Sequence, residues 1–345
     1  MSESPAAVEI RRVHLEDKDA LKQVHELFEL VRATETPELP PVPEDRYAGA
    51  LEHPPPNSEY RCYTAVDDGT VLGQTWVYLP HDENAHYAEI ELAVHPDHRR
   101  RGLGTALLDH FLRLSRDEHR SELVIRVRAA VEGGPSRPET GARFLEKHGF
   151  TKALTEIDRS LRIDAIDPEA EQRLWDASIA AAEGYEIVSW IGRSPEEYVE
   201  GLGRIDSQIF AEVPLGELDL RPRTVDADFV RTREDRAEAK GDILVRTIAV
   251  HQAGGDLAAN TLIYAHEGEE HAGQAITIVD PAHRGHRLGL LTKLANLRQL
   301  REHHGHVTTI WTGNADNNAN MVAINDQMGF RPVDALLSYQ RKLDV

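Results

Sequence analysis

A single cysteine, Cys62, stands in a chain of 345 residues. One thiol excludes an internal disulfide and any zinc site built on cysteine pairs. Cys62 is expected to be a buried strand residue. No apolar run approaches the roughly 18 residues of a membrane helix. The opening MSESPAAVEIRR lacks the hydrophobic core of a signal peptide. No membrane partner is expected, and the expected address is cytoplasmic. Basic residues are also scarce: 39 Lys+Arg face 59 Asp+Glu, for a formal net charge of −20. Phosphate backbones demand basic surface, so nucleic acid is not an expected partner. The charge mildly favours a cationic, amine-bearing small substrate, although an acidic surface serves solubility alone just as well. Lysine is nearly missing, 7 against 32 arginines, which reads as genome composition.

What is present suits two ordinary globular domains. The clearest stretch, Glu89 to Glu118, reads as strand, basic loop and amphipathic helix. Ile90, Leu92 and Val94 alternate as one strand face, and Leu103, Leu107, Leu108, Phe111 and Leu112 recur at helical spacing. Between them Gly102 and Gly104 let backbone amides approach a ligand where a helix N-terminus has unpaired N–H groups. Arg99, Arg100 and Arg101 add positive charge. Such a loop grips a pyrophosphate.

Around it the spacing predicts strands at 7–13, 60–66, 71–79, 122–128 and 153–163, with helices from Asp17 to about Val31 and over 138–148. The proline-rich 34–58 reads as loop, short helix, loop. Residues 164–184 form a helical connector. A second unit begins with strand 185–191 and a helix capped by Ser194 with Pro195 in its first turn, running to about Phe210. A loop and another helix follow over 217–240. Strands at 243–251, 257–266, 272–279, 307–312 and 335–343 then alternate with helices 287–304 and 315–328. The second unit repeats the first: Val94-His95-Pro96 becomes Val279-Asp280-Pro281, and Gly104 becomes Gly289, both at an offset of 185. Gly149-Phe150 becomes Gly329-Phe330 at an offset of 180. The chain reads as a duplicated domain: 1–163, the connector 164–184, and 185–345.

With these residues laid out, each half resembles the GNAT superfamily of acyl-CoA-dependent N-acetyltransferases. That family's loop reads Arg/Gln-x-x-Gly-x-Gly/Ala. The first half supplies Arg99, Gly102 and Gly104; the second supplies Arg284 and Gly289, with Arg287 where the middle glycine is usual. The resemblance implies an α+β fold of two GNAT-like domains, each a mixed, mostly antiparallel twisted sheet flanked by helices. It implies acetyl-CoA as co-substrate and a small amine as acceptor, attacked directly without a covalent enzyme intermediate. Strand amides at Leu92 to Val94, and at Thr277 to Val279, would hold the pantetheine arm and face the thioester carbonyl. The loop residues Arg99, Arg101, Gly102, Leu103, Gly104 and Thr105 would take the pyrophosphate, as would Arg284, Gly285, His286, Arg287, Leu288 and Gly289. Arg287 is expected to sit at the helix start with negative φ.

Many members carry an asparagine and a tyrosine on the last helix. Counting back from Gly149, the first half has Pro138 and Leu145 in those places; counting back from Gly329, the second has Asn318 and Asn325. Asn318 is therefore expected to touch cofactor and Asn325 to stand at the acid's position, although an asparagine cannot protonate a thiolate. The tandem arrangement is similar to that of the mycothiol synthases, in which the second half works, and the second half is favoured here. Glu89 and Glu91, on the strand face opposite Ile90 and Leu92, are candidate general bases, against a solvated strand face. Gln274 replaces Glu89 in the second half. The acidic turn Glu267, Glu269 and Glu270 is expected to be a solvated hairpin tip. The histidines at 95, 98, 283, 286, 303, 304 and 306 lack metal-ligand spacing, so no metal is expected. The competing reading is a non-catalytic acyl-CoA-binding protein with two degenerate domains. Either is compatible with a monomer or a homodimer.

Overall fold

The computed structural model describes residues 8–209 and 214–345; Ala7 and Phe210, named above as ends of a strand and a helix, lie outside the described residues. Twelve strands form one sheet: β1 (Glu9–Val13), β2 (Ser58–Asp67), β3 (Thr70–Pro80), β4 (Tyr87–Val94), β5 (Glu122–Ala129), β6 (Thr151–Arg162), β7 (Tyr185–Ile191), β8 (Asp242–His251), β9 (Leu257–His266), β10 (His271–Val279), β11 (Thr309–Ala315) and β12 (Arg331–Lys342). The helices used below are α1 (Lys18–Glu35), α2 (Glu44–Glu52), α3 (Leu103–Asp117), α4 (Thr140–Lys147), α5 (Pro168–Ala181), α6 (Glu196–Ser207), α7 (Ala227–Ala239), α8 (Leu288–His303) and α9 (Ala319–Met328). Each half has the expected α+β form: strands antiparallel except where β4 meets β5 and β10 meets β11.

Local chemistry accounts for the boundaries. Asp17 caps α1, accepting from the Ala20 amide at 3.0 Å, and Asp226 caps α7, accepting from Phe229 at 2.8 Å. Asp68 and Gly69 close the β2–β3 hairpin with positive φ. Ser194 departs from expectation. Pro195 is itself the N-cap of α6, the Ser194 hydroxyl has no partner, and its amide donates to Glu234 Oε1 at 3.1 Å. Extended Pro195 moves the helix start one residue on, so the serine reaches across to α7 instead of capping.

The sheet order is β1-β2-β3-β4-β5-β12-β6-β11-β10-β9-β8-β7. The two halves have therefore exchanged their last strands. β12 inserts beside β5 of the first half, pairing from Ala335↔Ala129 to Lys342↔Glu122. β6 lies against β11 of the second, pairing from Thr309↔Arg162 to Ala315↔Glu156. The cores follow the exchange. Tyr339 and Leu343, from the end of the chain, pack with Phe111, Leu123 and Phe150, while Leu161 packs with Leu294, Ile310 and Phe330. The connector helix α5 lies on α8, with Leu174 and Trp175 against the second core. The acidic turn is not simply solvated: Glu269 binds Arg46 of α2 at 2.7 Å, and Arg236 of α7 donates to the His53 carbonyl at 2.6 Å. These contacts tie the halves together across the sheet face that carries α2 and α7.

Candidate active site

In both halves the parallel strand pair opens partway. β4 pairs with β5 only from Tyr87 to Ile90, and β10 pairs with β11 only from His271 to Gly273. Beyond those points the strands splay, leaving main-chain groups of the inner strand with no strand neighbour on that side. In the second half the opening is accentuated by a bulge. The β9–β10 register shifts between Gln274 and Thr277, whereas the β3–β4 register runs unbroken to Val94. Gln274 stabilises the bulge, its buried amide donating to the Leu262 carbonyl at 2.8 Å and to Thr261 at 3.1 Å.

The splayed strand of the second half forms one wall of a cleft of about 470 Å³, a size suited to a cofactor arm. Thr277, Ile278 and Val279 line that wall; Arg284, Gly285, Arg287, Leu288 and Gly289 line the loop end. The α9 side consists of Asn318, Asn320, Met321, Ala323, Ile324 and Gln327. The sequence reading missed His283, Ile209 and the face of α9 bearing Met321, Ile324 and Gln327. That face recurs at helical spacing and was legible in principle; Ile209 was not. Asn318 stands where expected, capping α9 by accepting from the Met321 amide at 3.2 Å, which leaves its NH₂ group as a donor. Thr277 exchanges a hydroxyl hydrogen bond with Thr261 at 2.8 Å.

The loop conformation is shared between halves in an unexpected way. Two positions are left-handed: Arg100 (φ 65°) and Gly102 (φ 87°) in the first half, Gly285 (φ 89°) and Arg287 (φ 54°) in the second. Each half spends a glycine on one position and an arginine on the other. The expected negative φ at Arg287 is therefore corrected: the turn into α8 requires the left-handed region there. A non-glycine residue held so costs about 1–2 kcal/mol. Arg287 is steadied by donating to Gln327 Oε1 at 3.1 Å. His286 also departs from expectation. It lies outside the cleft lining, with Nδ1 donating to the Ala181 carbonyl of α5 at 3.3 Å.

Asn325 is corrected more fully. It is wholly buried, its Oδ1 accepting from Lys293 Nζ at 2.6 Å and its Nδ2 donating to Asn314 Oδ1 at 3.1 Å. In the first half Leu145 at the same place is buried in the core. This face of the last helix is its core face, so neither residue enters the cleft.

In the first half, Leu92 and Val94 pack on Leu103 and Leu107. Arg99 is held by the Val94 carbonyl at 3.2 Å and by Glu35 at 2.5 Å. Arg101 and Gly102 are exposed, Leu103 is buried, and Gly104 and Thr105 are half-buried on the first turn of α3. A side chain on Gly104 would meet Phe144 of α4 at 3.7 Å. Glu89 and Glu91 lie on the opposite sheet face from α3. Glu89 is engaged, by Arg126 at 3.0 Å and by the Tyr87 hydroxyl at 2.7 Å. Glu91 has neither a hydrogen bond nor an ion pair among the described residues. It is solvent-accessible, yet the protein crowding around it, with added repulsion from Glu89, raises its carboxyl above the usual range against the pull of Arg126 and Arg128. Asn325 packs on Asn314 of β11, and β5, β12 and β6 lie between that strand and β4, so the three candidate catalytic residues form no single constellation.

Residues 24–150 match a family model described as acetyltransferase (GNAT) family. Among curated proteins nothing matches the chain. Among solved structures it is similar to a tandem GNAT protein from the clavulanic acid biosynthesis pathway, solved without AcCoA. That likeness has 29% identity and a TM-score of 0.83, over 97% of this chain and 98% of that one. A GCN5-related N-acetyltransferase from Sphaerobacter thermophilus aligns over 98% of this chain and 97% of its own, with a TM-score of 0.66 and 13% identity. A putative acetyltransferase from Pyrococcus horikoshii covers 100% of this chain and 93% of its own, at a TM-score of 0.55 and 14% identity. At those identities the last two likenesses concern the fold alone. No described helix is long and apolar enough to cross a membrane.

Proposed function

We propose that the chain is a tandem protein of the GNAT acetyltransferase family, as its likenesses support, and that its second half transfers an acetyl group from acetyl-CoA to the amine of a small molecule. The observation that carries this reading is the bulged, splayed β10 opening onto the cleft beneath Gly289. Main-chain amides of residues 277–279 supply hydrogen-bond donors to the thioester oxygen, stabilising the charge that develops when an amine attacks. The loop amides ahead of α8, with Arg284 and Arg287, hold the pyrophosphate at the positive end of the helix dipole. Asn318 donates to the pantetheine arm. The amine nitrogen bonds to the carbonyl carbon, the C–S bond breaks, and one proton passes from nitrogen to sulfur.

A second reading rests on one observation: the α9 wall offers Met321 and Ile324 but no acid to the leaving sulfur. On that reading the protein binds acyl-CoA without turnover. Purified protein is titrated with acetyl-CoA by calorimetry, and thiol release is followed with an amine panel. Saturable binding with amine-dependent release supports transfer, and binding alone supports the second reading. No binding defeats both. Gly289→Val assigns the half, because a Cβ there would sit 3.1 Å from Ile324 and 3.3 Å from Val279. Binding is expected to vanish in this variant and to persist in Gly104→Val; the reverse pattern assigns the work to the first half.

A further inference from the structure

Arg246, on β8, is fully buried, with 0% of its surface exposed. One guanidinium nitrogen, Nη1, donates to Asn260 Oδ1 at 2.9 Å; Nε and Nη2 have no partner among the described residues. Those two form the side-on edge of the guanidinium, the pair of parallel N–H bonds that matches the two oxygens of a carboxylate. A third orphan donor is at hand. Trp190 stands directly opposite Arg246 across the β7–β8 ladder, and its buried indole Nε1 is likewise unpartnered. Buried donors are rarely left unmet.

No carboxylate reaches Arg246 directly among the described residues. Asp206 of α6 accepts from half-buried Arg233 at 2.7 Å and from Asn260 Nδ2 at 2.7 Å, so it meets Arg246 only through Asn260. Glu234, the next acid nearby, is held by Arg231 at 2.7 Å, which also holds exposed Glu196 at 2.5 Å. Desolvation pulls Arg246 down to about 10, against the partial support of Asp206. A water could fill an orphan donor but would bring no negative charge into contact with the buried guanidinium.

The network abuts the cleft. Asn260 pairs with Ile278 across the β9–β10 ladder, and Asp206 lies one helical turn before Ile209; Ile278 and Ile209 are both in the cleft wall. β8 is two strands from β10, roughly 10 Å. We infer that Arg246, with Trp190, forms a carboxylate subsite behind the second-half cleft, so that the acceptor is an amine that also carries a carboxylate. The inference rests on the acyl-transfer reading only for the word acceptor; the subsite itself does not need turnover.

The test is equilibrium binding to the full chain without acetyl-CoA, by calorimetry and thermal shift. The probes are 4-aminobutanoate, 6-aminohexanoate and 8-aminooctanoate, long enough to approach the span from Arg246 to the cleft, each against its carboxamide. At least one acid is expected to bind saturably, with its carboxamide about 100-fold weaker. Arg246→Met is expected to weaken the acid about 100-fold and leave the carboxamide unchanged; Trp190→Phe is expected to weaken it about 10-fold. If Arg246→Met does not fold, Trp190→Phe decides. Failure of all three acids to bind, equal binding of acids and carboxamides, or variants indistinguishable from wild type overturns the inference. Thiol release is measured separately. Carboxylate binding without release removes only the acyl-transfer reading, and release with no preference for acids removes only this one.

Discussion

Lys293 supplies the sharpest test of how the second-half cleft is built. It sits on α8 one turn beyond Gly289, 1% exposed, and joins α8 to α9 through the 2.6 Å bond from its Nζ to Asn325 Oδ1. Burial pushes the amine from 10.5 down to about 7. Between those values the unfolded chain carries a proton that the folded chain has released, so stability rises with pH across that window by up to about 1.4 kcal/mol per unit. Below about pH 7 both states are protonated and this group adds no further slope. At about pH 7.5, three units below the free value, releasing the proton costs about 4 kcal/mol. Lys293→Met keeps the length and carries no proton, but leaves Asn325 Oδ1 without its donor, a loss of about 1–3 kcal/mol. The variant is therefore expected to be more stable than wild type by about 1–3 kcal/mol at about pH 7.5. Its advantage shrinks with rising pH and reverses between about pH 8.3 and about pH 9.8, where the remaining cost of releasing the proton falls below that of the lost hydrogen bond. Urea unfolding of both proteins at about pH 7.5, 8.5 and 9.5 measures this, and the wild-type-minus-variant difference cancels the other titrating groups. A difference independent of pH refutes the reasoning. It would mean that Lys293 stays protonated, stabilised by the Phe330 ring 4.8 Å away.

Three further expectations follow from particular contacts. Tyr339→Ala empties a buried site in the first-half core and is expected to cost about 3–5 kcal/mol. Hydrogen exchange should locate the loss in β5, at residues 122–129, although the substitution lies in the last strand of the chain; loss confined to the second half contradicts the exchange of strands. Asp334 is fully buried between Arg137 at 3.0 Å and Arg128 at 2.6 Å. Asp334→Asn takes one of two carboxylates from each arginine, since Arg128 keeps Asp158 at 2.7 Å and Arg137 keeps Glu38 at 3.1 Å, with an expected loss of about 1–3 kcal/mol in denaturant. Glu91→Gln removes a carboxylate with no partner, so the melting temperature is expected to hold or rise. Under the second-half reading kcat also stays within about threefold, whereas a fall of about 100-fold or more marks Glu91 as a general base and moves the chemistry to the first half.

Much of the architecture was legible residue by residue. The two loops, the glycines at 104 and 289 and the Gly-Phe pairs marked a duplication because each answers a local demand: a close backbone approach, a helix N-terminus, a helix stop. Periodicity placed the elements to within a few residues. Asn318 was found because helix capping is also local. Asn325 was misplaced because its position in a motif says nothing of which way the helix is rolled; the packing of α9 on Lys293 and Asn314 turns that face inward. His286 was misplaced for a similar reason, since the connector helix draws it out of the loop. The bulge at Gln274 was hidden, because a register shift is a property of two strands and is written in neither.

The sequence by itself determined that this protein is built twice from one strand–loop–helix plan, and it determined the chemistry that plan serves in the family it resembles. Only the tertiary structure decided that the halves trade their final strands, that Arg287 rather than a glycine takes the left-handed turn, and that Arg246 is buried with two guanidinium nitrogens unmet. Alternation, caps and glycines act within a few residues of themselves and can be read along the chain. Strand partner, helix roll and buried charge balance are set by segments far apart in sequence, among alternatives that local pattern leaves equal.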